Sequence, residues 1–507
     1  MPVLDTNIAL GGRFGSGFLT GLQGGIKRFF PLLALAAVSI GLAGALCIDW
    51  HTPLWLDEDF TAAIARDNLR GLYAWCLEDP NAPLYYGLIW LWGHIAGTAS
   101  TVLRLPSTIL WLSTLLFVGF RGHAERDIRL AWVALLALWT PGWQYASEAR
   151  CYALLLLLSC IQAVLYVRLI DSRRRADAFR WAAVAALACL THYYALMPTA
   201  LQGLFFLAVR PRHALRVWPA ALLFVPVFAW LAIHLPHLAR YATPDTSWYP
   251  PMTAKVAGNI VSDIWGGLPY HLALAFAAIV GLQLRAHIKR DRPWPYTAGE
   301  TLLAAAALLT FAMMLGSAFF RPALLVRYLI PTVPGIFFGV VLALRRAWPS
   351  SRFPLAVLLI VWMTWAMVDV SLGWRRFTDE RYGYNFDQPS AWMEDSGLKR
   401  FTFFWDHPNA GLYAPQRLTA MATVPLRRDG WSGPAASLLL RDPHVDPNTV
   451  LARIADRPGD GLIWAYDSLV LNSMGNRHPP SLPMDTLHWA CHNFGGQTVT
   501  VLACIRR

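Results

Sequence analysis

The sequence predicts a polytopic α-helical membrane protein that ends in a smaller domain of mixed α/β structure. Three observations predict this: a shortage of charge, a series of long apolar runs, and the loss of such runs near the C-terminus. Of the 507 residues, 56% are hydrophobic and only 15% are charged, against about 25% charged in an ordinary globular protein. Because most of this surface cannot face water, the composition excludes a disordered, fibrous or disulfide-scaffold chain.

Eleven apolar runs are candidates for membrane spans, which need about 17–25 residues each. The sixth is short and reaches this length only with its flanks. The runs lie at roughly residues 29–48, 104–120, 130–146, 152–169, 181–197, 198–209, 217–234, 264–284, 301–319, 328–344 and 353–373. We therefore expect about 11 transmembrane helices, the first of them an uncleaved signal anchor.

Basic residues between the runs predict the orientation. One cluster precedes the first run and the others follow the even-numbered runs: residues 13, 27 and 28, then 121–129, 168–180, 210–216, 285–292 and 345–352. Since lysine and arginine collect in cytoplasmic loops, we expect a cytoplasmic N-terminus and an external C-terminal tail. The net charge of +12 is thus explained without a nucleic-acid partner. The excess of arginine over lysine is typical of a GC-rich bacterium, so the expected location is a bacterial inner membrane.

Two segments are expected outside the membrane. The first external loop, residues 49–103, is rich in acidic residues and holds a short apolar helix at Pro83–Gly97, which suits the membrane interface better than a span. The tail has strand-like stretches at Phe401–Trp405, Gly461–Tyr466 and Thr498–Ile505. The expected division is a transmembrane domain at 1–373 and an external α/β domain at 374–507.

The seven cysteines show no metal-ligand spacing and predict no zinc site. Cys491 and Cys504 are both expected outside, where disulfides persist. A tight hairpin turn at Gly495-Gly496 would place Cys491 opposite Thr500 instead of Cys504. This pairing register predicts that Cys491 and Cys504 are two buried thiols and not a disulfide.

An acidic run, Trp55-Leu56-Asp57-Glu58-Asp59, follows the first span at the external face. Carboxylates near a bilayer are costly and usually functional, although three acids also suit a solvated helix start. Asp57 and Glu58 point to different sides of a helix, so we expect different roles instead of a paired-acid site.

Further polar residues are predicted on the same face. An arginine or histidine at the end of a span usually has a plain structural role, but this set shares one surface: Asp79 to Tyr86, Arg104 to Ser107, Ser147 to Tyr152, Thr191 to Tyr194, Arg321, and Arg327 to Pro331. Guanidinium groups bind phosphate in a bidentate manner, and a carboxylate nearby can act as a general base on a hydroxyl. The set predicts a pocket for a lipid phosphate whose headgroup is transferred.

The order of these motifs resembles the GT-C glycosyltransferases of the protein O-mannosyltransferase and lipid A aminoarabinose transferase type, over about residues 30–345. The motifs are the acidic pair, Pro83-Leu84-Tyr85-Tyr86, Arg104-Leu105-Pro106-Ser107, Ala149-Arg150-Cys151-Tyr152, Thr191-His192-Tyr193 and Arg327-Tyr328-Leu329-Ile330-Pro331. The resemblance implies the GT-C fold and hexosyl or pentosyl transfer, with inversion. The donor would be a polyprenyl-phosphate-linked sugar, and the acceptor a lipid, glycan or protein at the external face.

The resemblance also implies roles for single residues. Asp57 would be the catalytic base and Glu58 its acidic neighbour. Arg104, Arg150 and Arg327 would hold the donor phosphate, and the pocket would be lined by Tyr85, Tyr86, Glu148, Tyr152 and His192. This chain has Asn81-Ala82 where many relatives have His-Pro, and no lysine follows Tyr86, which shifts phosphate binding to arginine. The resemblance does not decide whether a divalent metal takes part, and the sequence defines no set of metal ligands.

Two other classes of function fit parts of the pattern. A transporter or flippase for a lipid-linked sugar would also need many spans, but such proteins usually show internal repeats and a midplane site, whereas the charge here is at one face. A non-catalytic assembly or export subunit would use the tail as a binding module. Such a subunit would be indifferent to Asp57 and dependent on residues 374–507.

Overall fold

The structure is a computed structural model that describes residues 14–47, 54–241, 249, 251–266, 281–289, 294–382, 387–406, 410–424, 437–440, 457–467, 485, 487–494 and 499–507. In this part of the chain most residues are helical. The helices up to the candidate site are α1 Phe14–Cys47, α2 Leu56–Arg66, α3 Leu69–Glu78, α4 Pro83–Ala96, α5 Ser100–Arg121, α6 Arg126–Ala137, α7 Thr140–Ala146 and α8 Tyr152–Ser172.

The remaining α-helices lead to the C-terminal sheet. They are α9 Arg175–Thr191, α10 Leu196–Val209, α11 Pro211–Arg216, α12 Val225–Arg240, α13 Ala254–Ile264, α14 Ala298–Phe320, α15 Val333–Ala347, α16 Phe353–Tyr382, α17 Asp387–Asp395 and α18 Pro415–Ala422. Short 3-10 helices occupy Tyr193–Ala195, Trp218–Phe224, Val326–Thr332 and Ala410–Leu412.

Among the described residues, six helical segments are long and apolar enough to cross a membrane. They are Phe29–Leu46, Ser100–Arg121, Tyr152–Ser172, Trp218–Arg240, Ala298–Phe320 and Val326–Ala347. Two shorter apolar segments, Tyr193–Val209 and Phe353–Val368, accompany them. A helical membrane protein is therefore confirmed, while the count of eleven stays a prediction. Most of the expected span at 264–284 lies outside the described residues.

The expected span at 130–146 is two helices instead of one. The chain leaves helical geometry at Trp139, whose φ and ψ are −74° and 100°, and α7 begins with Pro141 in its first turn. Proline lacks the N–H that a continuous helix would need and suits a helix start. Window-averaged hydropathy could not detect this break, because the residues on both sides of it are apolar and buried.

The short helix expected at Pro83–Gly97 is α4, which begins at Pro83 and ends before Gly97. Gly97 has a φ of +97°, a conformation that glycine adopts without steric cost and that often ends a helix. With α2 and α3, this helix lies in the segment between the first two candidate spans, and these three helices hold one side of the candidate site.

The C-terminal part contains a five-stranded mixed sheet in the order β2-β1-β3-β5-β4. Its strands are β1 Arg400–Asp406, β2 Ser437–Leu440, β3 Asp460–Asp467, β4 Trp489–Phe494 and β5 Val499–Arg506. Strand β1 is parallel to β2 and β3, whereas β5 is antiparallel to β3 and β4. The three strand-like stretches of the sequence correspond to β1, β3 and β5. The sequence pattern missed β2 and β4.

Cys491 and Cys504 form a disulfide, so the expectation of two buried thiols is wrong. The cysteines are directly opposite each other in the β4–β5 ladder, which also pairs Phe494 with Val501. This register is displaced by four residues from the one that a tight turn at Gly495-Gly496 would impose. The assumed turn position, and not the chemistry of the thiols, caused the error.

Hydrogen bonds between α5 and the turn before α8 position the site. Thr108 donates from Oγ1 to the Ala146 carbonyl at 2.6 Å, and Ser107 donates from Oγ to the Arg150 carbonyl at 3.4 Å. Both hydroxyls are buried, where an unmade hydrogen bond would be costly. They fix the turn at residues 146–150 against the first half of α5.

Candidate active site

The first turn of α2 carries the two acids that the sequence singled out. Trp55 is extended, with φ −87° and ψ 167°, and the helix begins at Leu56. Acidic side chains in a first turn are stabilised by the helix dipole. Asp57 keeps 24% of its side-chain surface exposed, whereas Glu58 is fully buried. Neighbours about 100° apart around the helix thus face different surroundings, as the spacing predicts.

Glu58 pairs with Arg104 inside the protein. Arg104 donates from Nε to Glu58 Oε1 at 2.9 Å and from Nη2 to Oε2 at 2.5 Å, and both side chains are 0% exposed. The backbone N–H of Ala149 also donates to Glu58 Oε1 at 2.7 Å. This bidentate pair joins α2, α5 and the turn before α8. The expected direct contact of Arg104 with a donor phosphate does not fit this enclosed position, because the guanidinium already faces Glu58.

Asp57 lies between two other arginines. Its Oδ2 is 3.7 Å from Nη2 of Arg150 and 3.5 Å from Nη2 of Arg327. Arg150 also donates to the Asp57 backbone carbonyl at 3.1 Å. The Nε atoms of both arginines are buried and have no hydrogen-bond partner within the described part of the chain. One carboxylate beside two guanidinium groups leaves an excess of positive charge, which favours an anion.

Aromatic rings surround the Arg327 guanidinium. Its Cζ lies 5.6 Å from the ring centroid of Trp55, 5.8 Å from that of Tyr152 and 5.9 Å from that of Tyr328. A cation at this distance from a ring face is attracted by the ring quadrupole. The Arg327 side chain keeps 21% of its surface exposed. The aromatic rings therefore hold Arg327 in place while part of its side chain stays accessible.

Tyr86 connects Arg150 to a third acid, Asp79. Its hydroxyl donates to Asp79 Oδ1 at 2.9 Å and accepts from Arg150 Nη1 at 3.2 Å. Burial raises the pKa of Tyr86 well above its usual value, so the hydroxyl stays protonated and keeps donating. Asn81 donates to the same Asp79 oxygen from its backbone N–H at 2.9 Å and from Nδ2 at 2.7 Å. Asn81 thus fixes the Asp79 side chain in the loop before α4.

The other expected pocket residues lie around this cluster. His192 is buried where α9 ends, with its ring 5.1 Å from Tyr328 and 6.2 Å from Tyr152. Tyr85 is buried 6.4 Å from the ring of Tyr86. Glu148 is 2% exposed in the turn whose Ala149 N–H reaches Glu58. Arg321, which the sequence also singled out, is exposed at the end of α14.

The C-terminal segment contributes residues that sequence reasoning missed. Arg417 forms a bidentate ion pair with Glu78 at the end of α3, and Ala414 donates its N–H to the same carboxylate at 3.0 Å. The hydrogen bond that Arg417 donates to Glu78 raises the pKa of this guanidinium above its usual value. The Tyr413 ring lies 5.1 Å from Phe60 of α2. No motif in the tail signals these contacts, since they depend on how the tail docks.

Among the described residues, no group of three or more His, Cys, Asp or Glu side chains is arranged to hold a metal ion. The carboxylates of the cluster face arginine, tyrosine or backbone donors. Asp57, Glu58 and Asp79 all have such partners. The residues present therefore do not form a recognisable metal site, and no chemistry is assigned to one.

Two solved structures show what this architecture is similar to. The crystal structure of ArnT from Cupriavidus metallidurans in the apo state matches with a TM-score of 0.54 at 13% identity, over 94% of this chain and 98% of that chain. The structure of the same protein bound to undecaprenyl phosphate matches with a TM-score of 0.51, at the same identity and coverage. The chain has the fold of ArnT. No protein-family model and no curated protein match the sequence.

The likeness to ArnT confirms the GT-C resemblance at the level of the fold, since ArnT is a lipid A aminoarabinose transferase of that type. A match over 94% of the chain cannot be confined to residues 30–345, where the sequence motifs lie. The ArnT likeness therefore extends into the C-terminal part, which carries no motif of its own.

Proposed function

We propose that the protein transfers a sugar from a polyprenyl-phosphate donor to an acceptor at the external membrane face. The observation that carries this proposal is the position of Asp57, half-enclosed beside the Arg150 and Arg327 guanidinium groups. The ArnT fold supports it, because one of the two similar structures is bound to undecaprenyl phosphate. The acceptor would be a lipid, a glycan or a protein of the cell envelope.

The membrane arrangement is part of the proposal. The chain would cross a bacterial inner membrane about eleven times, with a cytoplasmic N-terminus and residues 374–507 forming the external domain. The alternation of basic clusters along the sequence supports this orientation. In this proposed orientation Asp57, Arg150 and Arg327 would lie at the external end of the bundle, where a polyprenyl-linked headgroup would meet its acceptor.

Arg150 and Arg327 would hold the donor phosphate. The partly exposed Arg327 side chain would approach the phosphate directly, and the more deeply buried Arg150 would add positive charge from beside Asp57, because phosphate oxygens prefer charge-assisted hydrogen bonds. Arg104 would act indirectly, as a positioning residue. It fixes Glu58, which accepts a hydrogen bond from the Ala149 N–H and lies at the start of α2. The phosphate-binding role that the sequence assigned to three arginines is thus proposed for two of them.

The chemistry would be a single displacement. The acceptor hydroxyl oxygen bonds to the anomeric carbon, while the bond from that carbon to the phosphate oxygen breaks. Asp57 takes the hydroxyl proton, and the departing polyprenyl phosphate keeps the electron pair. The arginines stabilise the negative charge that develops on its oxygens. Attack from the side opposite the leaving group inverts the anomeric configuration.

The remaining pocket residues would bind the sugar and exclude water. Tyr152 and His192 extend the aromatic wall beside Arg327. Tyr85 and Tyr86 line the side toward α4, and Glu148 lies in the turn between α7 and α8. A carboxylate and an imidazole are suitable partners for sugar hydroxyls.

Transfer by the purified protein in detergent tests the proposal. We expect label from a radiolabelled undecaprenyl-phosphate pentose or hexose to reach a membrane acceptor fraction, with the opposite anomeric configuration in the product. Detergent removes the second compartment, so a flippase would give no product. Asp57→Asn should reduce transfer at least about 100-fold, and Asp395→Asn, at an exposed aspartate of α17, should leave it unchanged. No product with any donor of either class, or a product that retains configuration, would contradict the proposal.

A further inference from the structure

A second arginine-lined cavity lies at the opposite end of the helix bundle from Asp57. Its volume is about 430 Å³, and its polar lining includes Arg121, His123, Arg129, Arg168 and Glu300. Arg121 ends α5 and Arg168 is in the last turns of α8, whereas Arg104 and Tyr152 are near the starts of these helices. At 1.5 Å per residue, the 17 residues from Arg104 to Arg121 span about 25 Å. The cavity is therefore separate from the candidate active site.

The three arginines of this cavity have no carboxylate partner within the described part of the chain. Arg129 donates from Nη1 to the His123 carbonyl at 2.9 Å, but its Nε is buried without a hydrogen-bond partner there. The indole Nε1 of Trp132, a fully buried lining residue, is equally unpartnered among the described atoms. Buried donors of this kind usually have an acceptor. The cavity thus offers several hydrogen-bond donors to an anion.

The acidic residues of the lining are already engaged. Glu300 faces His123 Nε2 at 3.1 Å, accepts from the Thr297 N–H at 2.9 Å and lies 3.4 Å from Arg346. Asp171 accepts from the Gly299 N–H at 2.9 Å. These contacts hold α14 against α8. The lining has three arginines and two carboxylates, and this excess of positive charge favours an anion over a cation.

The rest of the lining is apolar. Val164, Val167, Leu303 and Phe338 join the arginines, and Phe120 lines the cavity while 73% of its surface is exposed. A free inorganic anion would gain nothing from such walls, whereas a lipid places its phosphate and its acyl chains side by side. Basic pockets between transmembrane helices are known to suit anionic lipid headgroups.

We propose that this cavity binds the phosphate of an anionic glycerophospholipid from the leaflet opposite the active site. Arg121, Arg129 and Arg168 would contact the phosphate, and Trp132 would donate to an ester or glycerol oxygen. The acyl chains would leave along the exposed apolar surface beside Phe120. A lipid bound here would join α5, α6, α8 and α14 at an end of the bundle that carries no catalytic group.

Native mass spectrometry of the full-length protein tests this proposal, with phosphatidylglycerol and phosphatidylcholine of identical chains. We expect at least tenfold preferential retention of phosphatidylglycerol. Arg121→Gln or Arg168→Gln should each weaken it about fivefold, because one basic residue near an anionic lipid contributes roughly that factor. Arg212→Gln is the matched control, since Arg212 is exposed in α11 and outside the cavity. It should retain the lipid like the unaltered protein.

Three outcomes would overturn the proposal. Equal retention of the two lipids would show that binding does not depend on headgroup charge. Full retention by an Arg121→Gln, Arg168→Gln double variant would show that the lipid does not bind in this cavity. Displacement of phosphatidylglycerol by millimolar inorganic phosphate would indicate a site for a soluble anion. Both arginines are exposed, so these variants should fold. Arg129→Lys, which keeps the charge, should retain the lipid.

Discussion

Two arginine–glutamate pairs support the candidate site, and they differ chiefly in burial. Glu58 and Arg104 are both fully buried inside the helical part of the protein. Glu78 and Arg417 keep 16% and 21% of their side-chain surface exposed, and they join α3 to the C-terminal segment. Both pairs are bidentate. The same chemistry therefore serves an enclosed contact and a contact that water can reach.

The difference in burial predicts which of the two ion pairs tolerates substitution of one partner. Removing one partner of a buried pair leaves an uncompensated charge without water, which is strongly destabilising. A partly exposed partner can be resolvated. The buried pair also adjoins Asp57 directly, whereas Glu78 reaches the site through its neighbour Asp79 and Tyr86. We infer a rigid inner support and a more adjustable outer support.

Arg104→Met is expected to have the largest effect. It leaves the Glu58 carboxylate buried without its guanidinium, at a cost of about 3–5 kcal/mol, so the thermal midpoint in detergent should fall sharply. The double variant Glu58→Gln, Arg104→Met removes both charges and should recover part of the loss. A single variant as stable as the unaltered protein would show that the pair does not hold the fold.

Breaking the Cys491–Cys504 disulfide should have the next largest effect, confined to the C-terminal sheet. Cys491→Ser is expected to cost about 2–4 kcal/mol of sheet stability, measured by limited proteolysis of that segment. Thiol mass-shift labelling at pH 8 should find these two cysteines only after reduction. Burial, with help from Asp79, raises the pKa of Cys76 to about 12, so that thiol should stay unlabelled in the folded protein. Labelling of Cys491 without a reductant would contradict the bridge.

Arg327→Met should weaken donor binding with little change in stability. Loss of one charge-assisted hydrogen bond of about 1.5–3 kcal/mol corresponds to roughly a tenfold or greater loss of undecaprenyl phosphate affinity. Titration with that lipid phosphate measures it. Arg70→Gln, at an exposed arginine of α3, is the control and should bind normally. Unchanged affinity in Arg327→Met would remove this residue from the phosphate site.

Arg417→Met should have the smallest effect, because its pair with Glu78 is partly exposed. We expect a loss of about 1 kcal/mol or less and less than a threefold change in transfer rate. A double-mutant cycle with Glu78→Gln isolates the pair from the packing of the Arg417 stem. A coupling energy as large as that of Glu58 and Arg104 would erase the distinction between the two supports.

Much of the site could be predicted from the sequence, because its residues follow apolar runs on one side of a charge-alternating pattern. Helical periodicity correctly separates the surroundings of Asp57 and Glu58. It could not predict that Arg104 faces Glu58 instead of the open pocket, since that contact joins residues 46 positions apart. Pairing of this kind depends on helix packing, which hydropathy does not encode.

The fold can be predicted from the sequence where the length and polarity of a segment decide its structure. It is harder to predict where the structure depends on single residues. The α4 helix and strands β1, β3 and β5 follow from pattern. The break before Pro141 and the register that joins Cys491 to Cys504 depend on local backbone geometry. The contact between Arg417 and Glu78 could not be predicted from the sequence, because the tail contains no recognisable motif.

The most direct test of the central claim is to measure lipid binding and sugar transfer on one preparation of Asp57→Asn. For this variant we predict normal thermal stability, undecaprenyl phosphate affinity within a few-fold of normal, and transfer reduced at least about 100-fold, as expected for loss of a general base. Near-normal transfer by the folded variant would contradict the assignment of Asp57 as the base.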